Sequence, residues 1–71
     1  MLILSELPAA AVDRVIRKGG APRVSEDAAK ELAEILEEYG IKIAQKAVNL
    51  STHAKRKTIT AEDIRLAVKS L

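Results

Sequence analysis

The fold is decided by residues 25–53, SEDAAKELAEILEEYGIKIAQKAVNLSTH, which have the pattern of one long amphipathic helix. Ser25 is predicted to be the N-cap, and Glu26 and Asp27 suit the positive end of the helix dipole. Gly40 indicates either a close helix crossing or a break into two helices. Apolar residues recur every three or four positions, as one helix face requires, at Ala28, Leu32, Ile35, Leu36, Tyr39, Ile43, Ala47 and Leu50.

Two shorter helices are predicted, one on each side of the long helix. The first runs from about Pro8 to Lys18 and ends at the glycine pair 19–20, since glycine accepts the left-handed conformation that follows many helices. The other runs from about Ala61 to Leu71, after a sequence that resembles a capping box. The sequence therefore predicts an all-α fold with the order short–long–short. It forms a single domain over residues 8–71, preceded by an N-terminal extension over residues 1–7.

The long helix is too long for the two short helices to cover. Twenty-eight residues at 1.5 Å each span ~42 Å, whereas a compact chain of this length has a diameter of roughly 30 Å. The chain has no cysteine, so disulfides cannot supply the missing stability. The uncovered apolar face needs a second copy or a similar chain. An antiparallel crossing near Gly40 would close both faces. It would also bring the first link of one chain, residues 21–24, beside the second link of the other, residues 55–59.

Charge is segregated along the chain, although the net charge is only +2. Residues 14–24 and 39–61 contain basic residues and no acidic ones, whereas residues 26–38 contain six acidic residues. Two basic segments indicate a polyanionic partner, and the alternative is that they are solvated surfaces.

Several classes of function are not supported by the sequence. There is one histidine, and no arrangement of a nucleophile with a base, so we expect no enzyme, no cofactor, no metal site and no small-molecule substrate. No apolar run approaches the ~20 residues of a membrane span, and no signal peptide is evident. We therefore expect a cytoplasmic protein that does not interact with membranes.

Three segments resemble the archaeal histones: residues 21–25 (APRVS), 36–38 (LEE) and 53–64 (HAKRKTITAEDI). The resemblance extends from Glu6 to the last helix. It implies a histone fold in an intertwined handshake dimer, formed with itself or a paralogous histone. It also implies assembly into tetramers or larger polymers, with double-stranded DNA wrapped around the outside in the nucleoid. Such wrapping depends on contacts to phosphates and on the deformability of the DNA rather than on contacts to base edges.

The resemblance assigns DNA contacts to six residues. Arg23 would enter the minor groove, braced by Thr58 of the partner chain. The other four residues would contact phosphates, and they are Arg14, Arg17, Ser25 and Lys57. Ser25 would do so through the helix N-terminus that it caps. Each basic residue has the alternative of a solvated surface side chain.

Further residues are expected to act in structure and assembly. Arg56 and Asp63 are predicted to form an ion pair that pins the second link to the last helix. By resemblance, Leu50, His53 and Asp63 lie at the contact between dimers, where His53 would bond Asp63 and make assembly depend on pH near neutrality. Gly20 is a helix cap and, by resemblance, lets stacked turns of a superhelix approach each other.

The sequence departs from the family at places that affect this interpretation. Several positions on the long and last helices that are basic in relatives are occupied here by Asn49, Thr52 and Ser70, which bears on how tightly DNA is wrapped. Met1–Leu4 is an apolar extension that most relatives lack. Lys55 stands where relatives often have a small residue, which adds charge to the second link. The competing function is a histone-fold interaction module, resembling a transcription-factor subunit, that dimerises without wrapping DNA. Such a module does not need the basic cluster, so the cluster favours an architectural DNA-binding protein.

Overall fold

The computed structural model describes residues 6–71 and contains three helices in that range. They are α1 (Ala9–Lys18), α2 (Glu26–His53) and α3 (Ala61–Lys69). This confirms the predicted all-α, short–long–short order. The two links form no strand within the described chain. The Met1–Leu4 extension lies outside the described residues.

The helix ends differ in detail from the prediction. Pro8 is the N-cap of α1 and not its first helical residue. Gly19 is the C-cap with a right-handed φ of −76°, and the left-handed conformation falls on Gly20, whose φ is 110°. α3 ends at Lys69, two residues before the predicted end, because Ser70 leaves the helical region and acts as its C-cap.

The predicted N-caps are confirmed. The Ser25 hydroxyl accepts a hydrogen bond from the Ala28 N–H at 3.0 Å, which satisfies one of the donors that a helix start leaves unpaired. Thr60 and Asp63 form a capping box, in which each side chain accepts from the other residue's backbone N–H, at 3.3 Å and 2.9 Å. α2 is continuous through Gly40, so the alternative of two helices is wrong.

The chain divides into two compact units, residues 1–38 and 39–71. In the first unit, the Glu6 N–H donates to Glu37 Oε1 at 2.7 Å, so a residue of the expected N-terminal extension is bonded to α2. The apolar core of each unit is small: the buried apolar residues are Val12, Ala29 and Ala33 in the first unit and Ala47 and Ala67 in the second.

Most of the larger apolar side chains of α2 remain exposed. Ile35, Tyr39 and Ile41 are 49–52% exposed, and no large side chain of residues 6–71 is fully buried. At Gly40, no atom of the described chain lies within 4 Å of the position that a Cβ would occupy. The helix crossing that would explain this glycine is therefore not made within the chain, which supports the prediction that a second chain covers α2.

A Gly40→Ala substitution tests the crossing. In an uncrossed helix, alanine should stabilise the protein by up to about 1 kcal/mol. We expect the opposite, a lower free energy of unfolding, because the added methyl group would separate two closely crossing helices. Urea unfolding measures the change, with Lys30→Ala, at an exposed site of the same helix, as the control. A variant that is more stable than the wild type would contradict the crossing.

Candidate nucleic-acid interface

The first unit carries four of the predicted DNA contacts, and all four residues are exposed. Arg14 and Arg17 lie one turn apart on α1, which places them on one helix face. Arg23 lies in the first link and precedes the helix cap Ser25. Arg14 and Ser25 line the same open cleft between α1 and the start of α2. This unit therefore presents a cluster of guanidinium groups beside a helix N-terminus.

Arg17 also has a structural role that the sequence analysis missed. Its Nε donates to Asp13 Oδ2 at 2.9 Å, and its Nη1 donates to the Pro22 carbonyl at 3.2 Å. The side chain thus ties α1 to the first link. Half of it remains exposed, and a guanidinium has five N–H donors, so donors remain for a phosphate. The i, i+4 spacing of Asp13 and Arg17 was the signal for the ion pair.

The second unit carries Lys57 and Thr58, both exposed, in the link between α2 and α3. An ion pair pins this link to α3: Arg56 Nη1 and Nη2 donate to Asp63 Oδ2 and Oδ1 at 2.9 Å and 2.8 Å. Nη1 also donates to the Thr58 carbonyl at 3.2 Å. The two-point geometry makes this a strong type of charge-assisted contact. The expected Arg56–Asp63 pair is therefore present, with a direct bond to a link residue as well.

Asp63 is held in its ionised form. Its side chain is 4% exposed, whereas that of Arg56 is 41% exposed. The hydrogen bonds from Arg56, followed by the bond from the Thr60 backbone, hold the pKa of the Asp63 carboxyl well below its usual range, although burial acts in the opposite direction. The same pair raises the pKa of Arg56. Because Asp63 is nearly buried, this ion pair differs from exposed surface ion pairs, which contribute little to folding stability.

The lowered pKa of Asp63 predicts a pH-dependent stability. A carboxyl with a depressed folded-state pKa stabilises the fold above its unfolded pKa, about 4, and loses that contribution as pH falls towards the folded value. We expect Asp63→Asn to be less stable than the wild type at pH 7, with a gap that narrows below about pH 4. Urea midpoints between pH 7 and pH 2.5 measure this gap.

Asp13→Asn is the matched control, since Asp13 also pairs with an arginine but its side chain is 32% exposed. Its effect on the urea midpoint at pH 7 should be smaller than that of Asp63→Asn, because an exposed pair contributes little to stability. An Asp63→Asn variant whose urea midpoint differs from that of the wild type by the same amount at every pH would contradict the lowered pKa of Asp63.

The residues predicted to join dimers lie at the end of α2 and in α3. Leu50 is half-buried and His53, the last residue of α2, is exposed. Asp63 already accepts three hydrogen bonds, two of them on Oδ2. A carboxylate has about four acceptor positions, so Oδ1 retains capacity for one more donor. Leu66, 44% exposed and one turn beyond Asp63, is an apolar neighbour that the sequence analysis left out.

Gly20 is exposed, and apart from its chain neighbours no atom of residues 6–71 lies within 4 Å of its Cβ position. Its positive φ explains the glycine by backbone conformation alone. This supports its role in ending α1, and its role in stacking stays a prediction.

Lys55 in the second link and Ser51 near the end of α2 have features that were not predicted from the sequence. Lys55 adopts a left-handed φ of 58°, a backbone conformation that residues other than glycine and asparagine rarely adopt. Ser51 is a polar residue that is only 3% exposed. The position of Lys55 just after α2, where glycine is common, was the available signal for the first. The bonds of Ser51 depend on the path of the link and had no sequence signal.

Other kinds of site are not evident in residues 6–71. No group of three histidine, cysteine or acidic side chains is arranged to hold a metal ion. None of the helices described here combines the length and apolar character needed to cross a membrane.

Comparison with known proteins identifies relatives over nearly the whole chain. Residues 5–68 match the family described as histone-like transcription factor (CBF/NF-Y) and archaeal histone. The chain is 63% identical over 67 residues to one of the subunits of the archaeal histone HAN1 from Thermococcus zilligii, covering 94% of this chain and 100% of that protein. It is 50% identical over 66 residues to probable archaeal histone 3 of Methanocaldococcus jannaschii, covering 93% and 98%.

The similarity extends to a eukaryotic histone. The chain is 34% identical over 59 residues to the major histone H4 of Tetrahymena pyriformis, covering 83% of this chain and 57% of that protein.

The fold and the basic links are those of a histone-fold protein, and the chain belongs to the family of archaeal histones and histone-like transcription factors. It is a DNA-binding architectural protein of chromatin that dimerises through the histone fold, and it is not an enzyme. The resemblance seen in the sequence is confirmed, and the alternative of an interaction module that does not wrap DNA is not favoured.

Proposed function

We propose that the protein bends and wraps duplex DNA around its dimers, largely without base-sequence preference. The observation that carries this proposal is the set of exposed basic residues in the second half of α1 and in the two links. Residues 14–24 and 39–61, which include them, contain no acidic side chain. Lysine and arginine contacts to phosphates position a protein on DNA without reading its sequence. The sequence preference would come from DNA deformability alone.

Each predicted contact has a distinct role in this proposal. Arg23 enters the minor groove, next to Thr58 of the partner subunit. Phosphates on either side are bound by Arg14, Arg17 and Lys57. Ser25 acts mainly as a helix cap, because its hydroxyl already accepts from Ala28. Its contribution to phosphate binding comes from the unpaired N–H groups at the start of α2.

Assembly beyond the dimer is the second part of the proposal. Dimers of the domain formed by residues 8–71, preceded by the extension 1–7, associate through Leu50, His53 and Asp63. The remaining acceptor position on Asp63 Oδ1 supports a bond from His53 of the neighbouring dimer. Both a second copy and a paralogous histone are suitable dimer partners, and the resulting polymer coats the chromosome in the nucleoid of the cytoplasm.

Nuclease digestion of the protein bound to long duplex DNA tests the proposal. Four histone-fold dimers hold ~146 bp in a nucleosome, so one dimer should protect about a quarter of that length, ~36 bp. We expect a ladder that rises in steps of this size, because dimers add one after another. A single protected length would contradict polymerisation and indicate a closed tetramer. A stable dimer that protects no DNA would contradict wrapping and favour the interaction module.

The same digestion with a His53→Ala variant examines the contact between dimers. The substitution removes the proposed donor to Asp63, so the ladder should be shorter than that of the wild type. A ladder of unchanged length, with unchanged protection per step, would contradict the role of His53.

A further inference from the structure

We propose that Ser51 is a positioning residue for DNA binding, whose buried hydroxyl holds the backbone on both sides of Lys57 and aims Lys57 at a phosphate. The proposal rests on the proposed function, because it assumes that Lys57 contacts DNA. Ser51 lies two residues before the end of α2 and is only 3% exposed, so it is shielded from direct contact with DNA. Its hydroxyl would act only through the link.

The side chain of Ser51 contacts two carbonyl groups that flank Lys57. Ser51 Oγ lies 2.7 Å from the Arg56 carbonyl oxygen and 3.4 Å from the Thr58 carbonyl oxygen. A hydroxyl has one hydrogen to donate, so the shorter contact is the main bond and the longer one is weaker. The Ser51 carbonyl also accepts from the Arg56 N–H at 2.9 Å. Ser51 is thus joined to the link through both its side chain and its backbone.

Peptide geometry converts these contacts into an orientation of the link. In a trans peptide the C=O and the following N–H point in opposite directions, and no peptide bond of the described chain is cis. With the carbonyls of Arg56 and Thr58 turned towards Ser51, the N–H groups of Lys57 and Ile59 point away from it. Neither N–H finds an acceptor within residues 6–71. The link therefore presents donors outward and turns two acceptors, which would repel a phosphate, inward.

The arginine of the link is occupied, whereas the lysines on either side of it, Lys55 and Lys57, are exposed and form no ion pair with any described residue. The Arg56 guanidinium is occupied by Asp63 and by the Thr58 carbonyl. Lys55, with its left-handed φ, holds a conformation that persists only where surrounding bonds enforce it. The Ser51 bonds to Arg56 and Thr58 are among those that do so.

Ser51→Ala removes the hydroxyl and nearly preserves the volume of the side chain. We expect the folded dimer to bind duplex DNA about three- to tenfold more weakly, the effect of losing one such hydrogen bond per link. Each dimer has two copies of the second link and therefore two copies of Lys57. The slope of log affinity against log salt should accordingly fall in magnitude by about 1 to 2. Thr52→Ala, which removes the exposed hydroxyl of the next residue, is the matched control and should change neither quantity.

A double-mutant cycle with Lys57→Ala separates positioning from a structural role. If Ser51 acts through Lys57, Ser51→Ala should have little further effect on DNA affinity when Lys57 is already alanine. Additive losses, or a lower Tm with an unchanged salt slope, would overturn the proposal. Ser51→Cys, of similar size but with a weak donor, provides the same comparison should the alanine variant not fold.

The outcomes for this inference and for the proposed function are distinct. A wild-type dimer that does not bind DNA would overturn the proposed function itself. A wild-type dimer that binds DNA, together with a Ser51→Ala variant that binds with the same affinity and salt slope, would overturn only the role of Ser51.

Discussion

The uncovered apolar face of α2 is the constraint on which the rest of the structure depends. The helix has 28 residues, and the apolar side chains buried in the described chain are one valine and four alanines. Hydrophobic burial is the main favourable term in folding, so a core this small leaves the chain dependent on a second subunit. The histone family supplies that subunit by dimerisation, and Gly40, whose Cβ position has no neighbour within 4 Å in residues 6–71, is where we expect the two long helices to cross.

Polar contacts then determine what each end of α2 presents. At its C-terminal end, Arg56 and Asp63 fix the link to α3, and Ser51 fixes the link to α2. These bonds use the arginine of the link for structure and leave Lys57 for a partner. At its N-terminal end, Arg17 donates a hydrogen bond to the Pro22 carbonyl of the first link, and half of its side chain remains exposed. The basic residues of this protein thus divide into those that shape the links and those that remain available to DNA.

Sequence reasoning succeeded where local patterns determine the structure. Apolar spacing predicted the helices, and the capping preferences of Ser25 and Thr60 predicted where α2 and α3 begin. It was less accurate where two residues compete for one role, as at Gly19 and Gly20, since either glycine accepts the left-handed conformation. It failed for the bonds of Ser51, because they depend on the path of the link in three dimensions. The assignments to DNA came from the family resemblance and remain predictions for individual residues.

The dependence of stability on chain concentration tests the central claim most directly. If folding requires a second subunit to complete the core, unfolding is coupled to dissociation. The stability of the dimer should then increase by about 1.4 kcal/mol for each tenfold rise in concentration. Urea unfolding followed by circular dichroism over a hundredfold range of concentration measures this. A midpoint that rises with concentration is the predicted result, and a midpoint independent of concentration, with a cooperative transition of a folded monomer, would contradict the account.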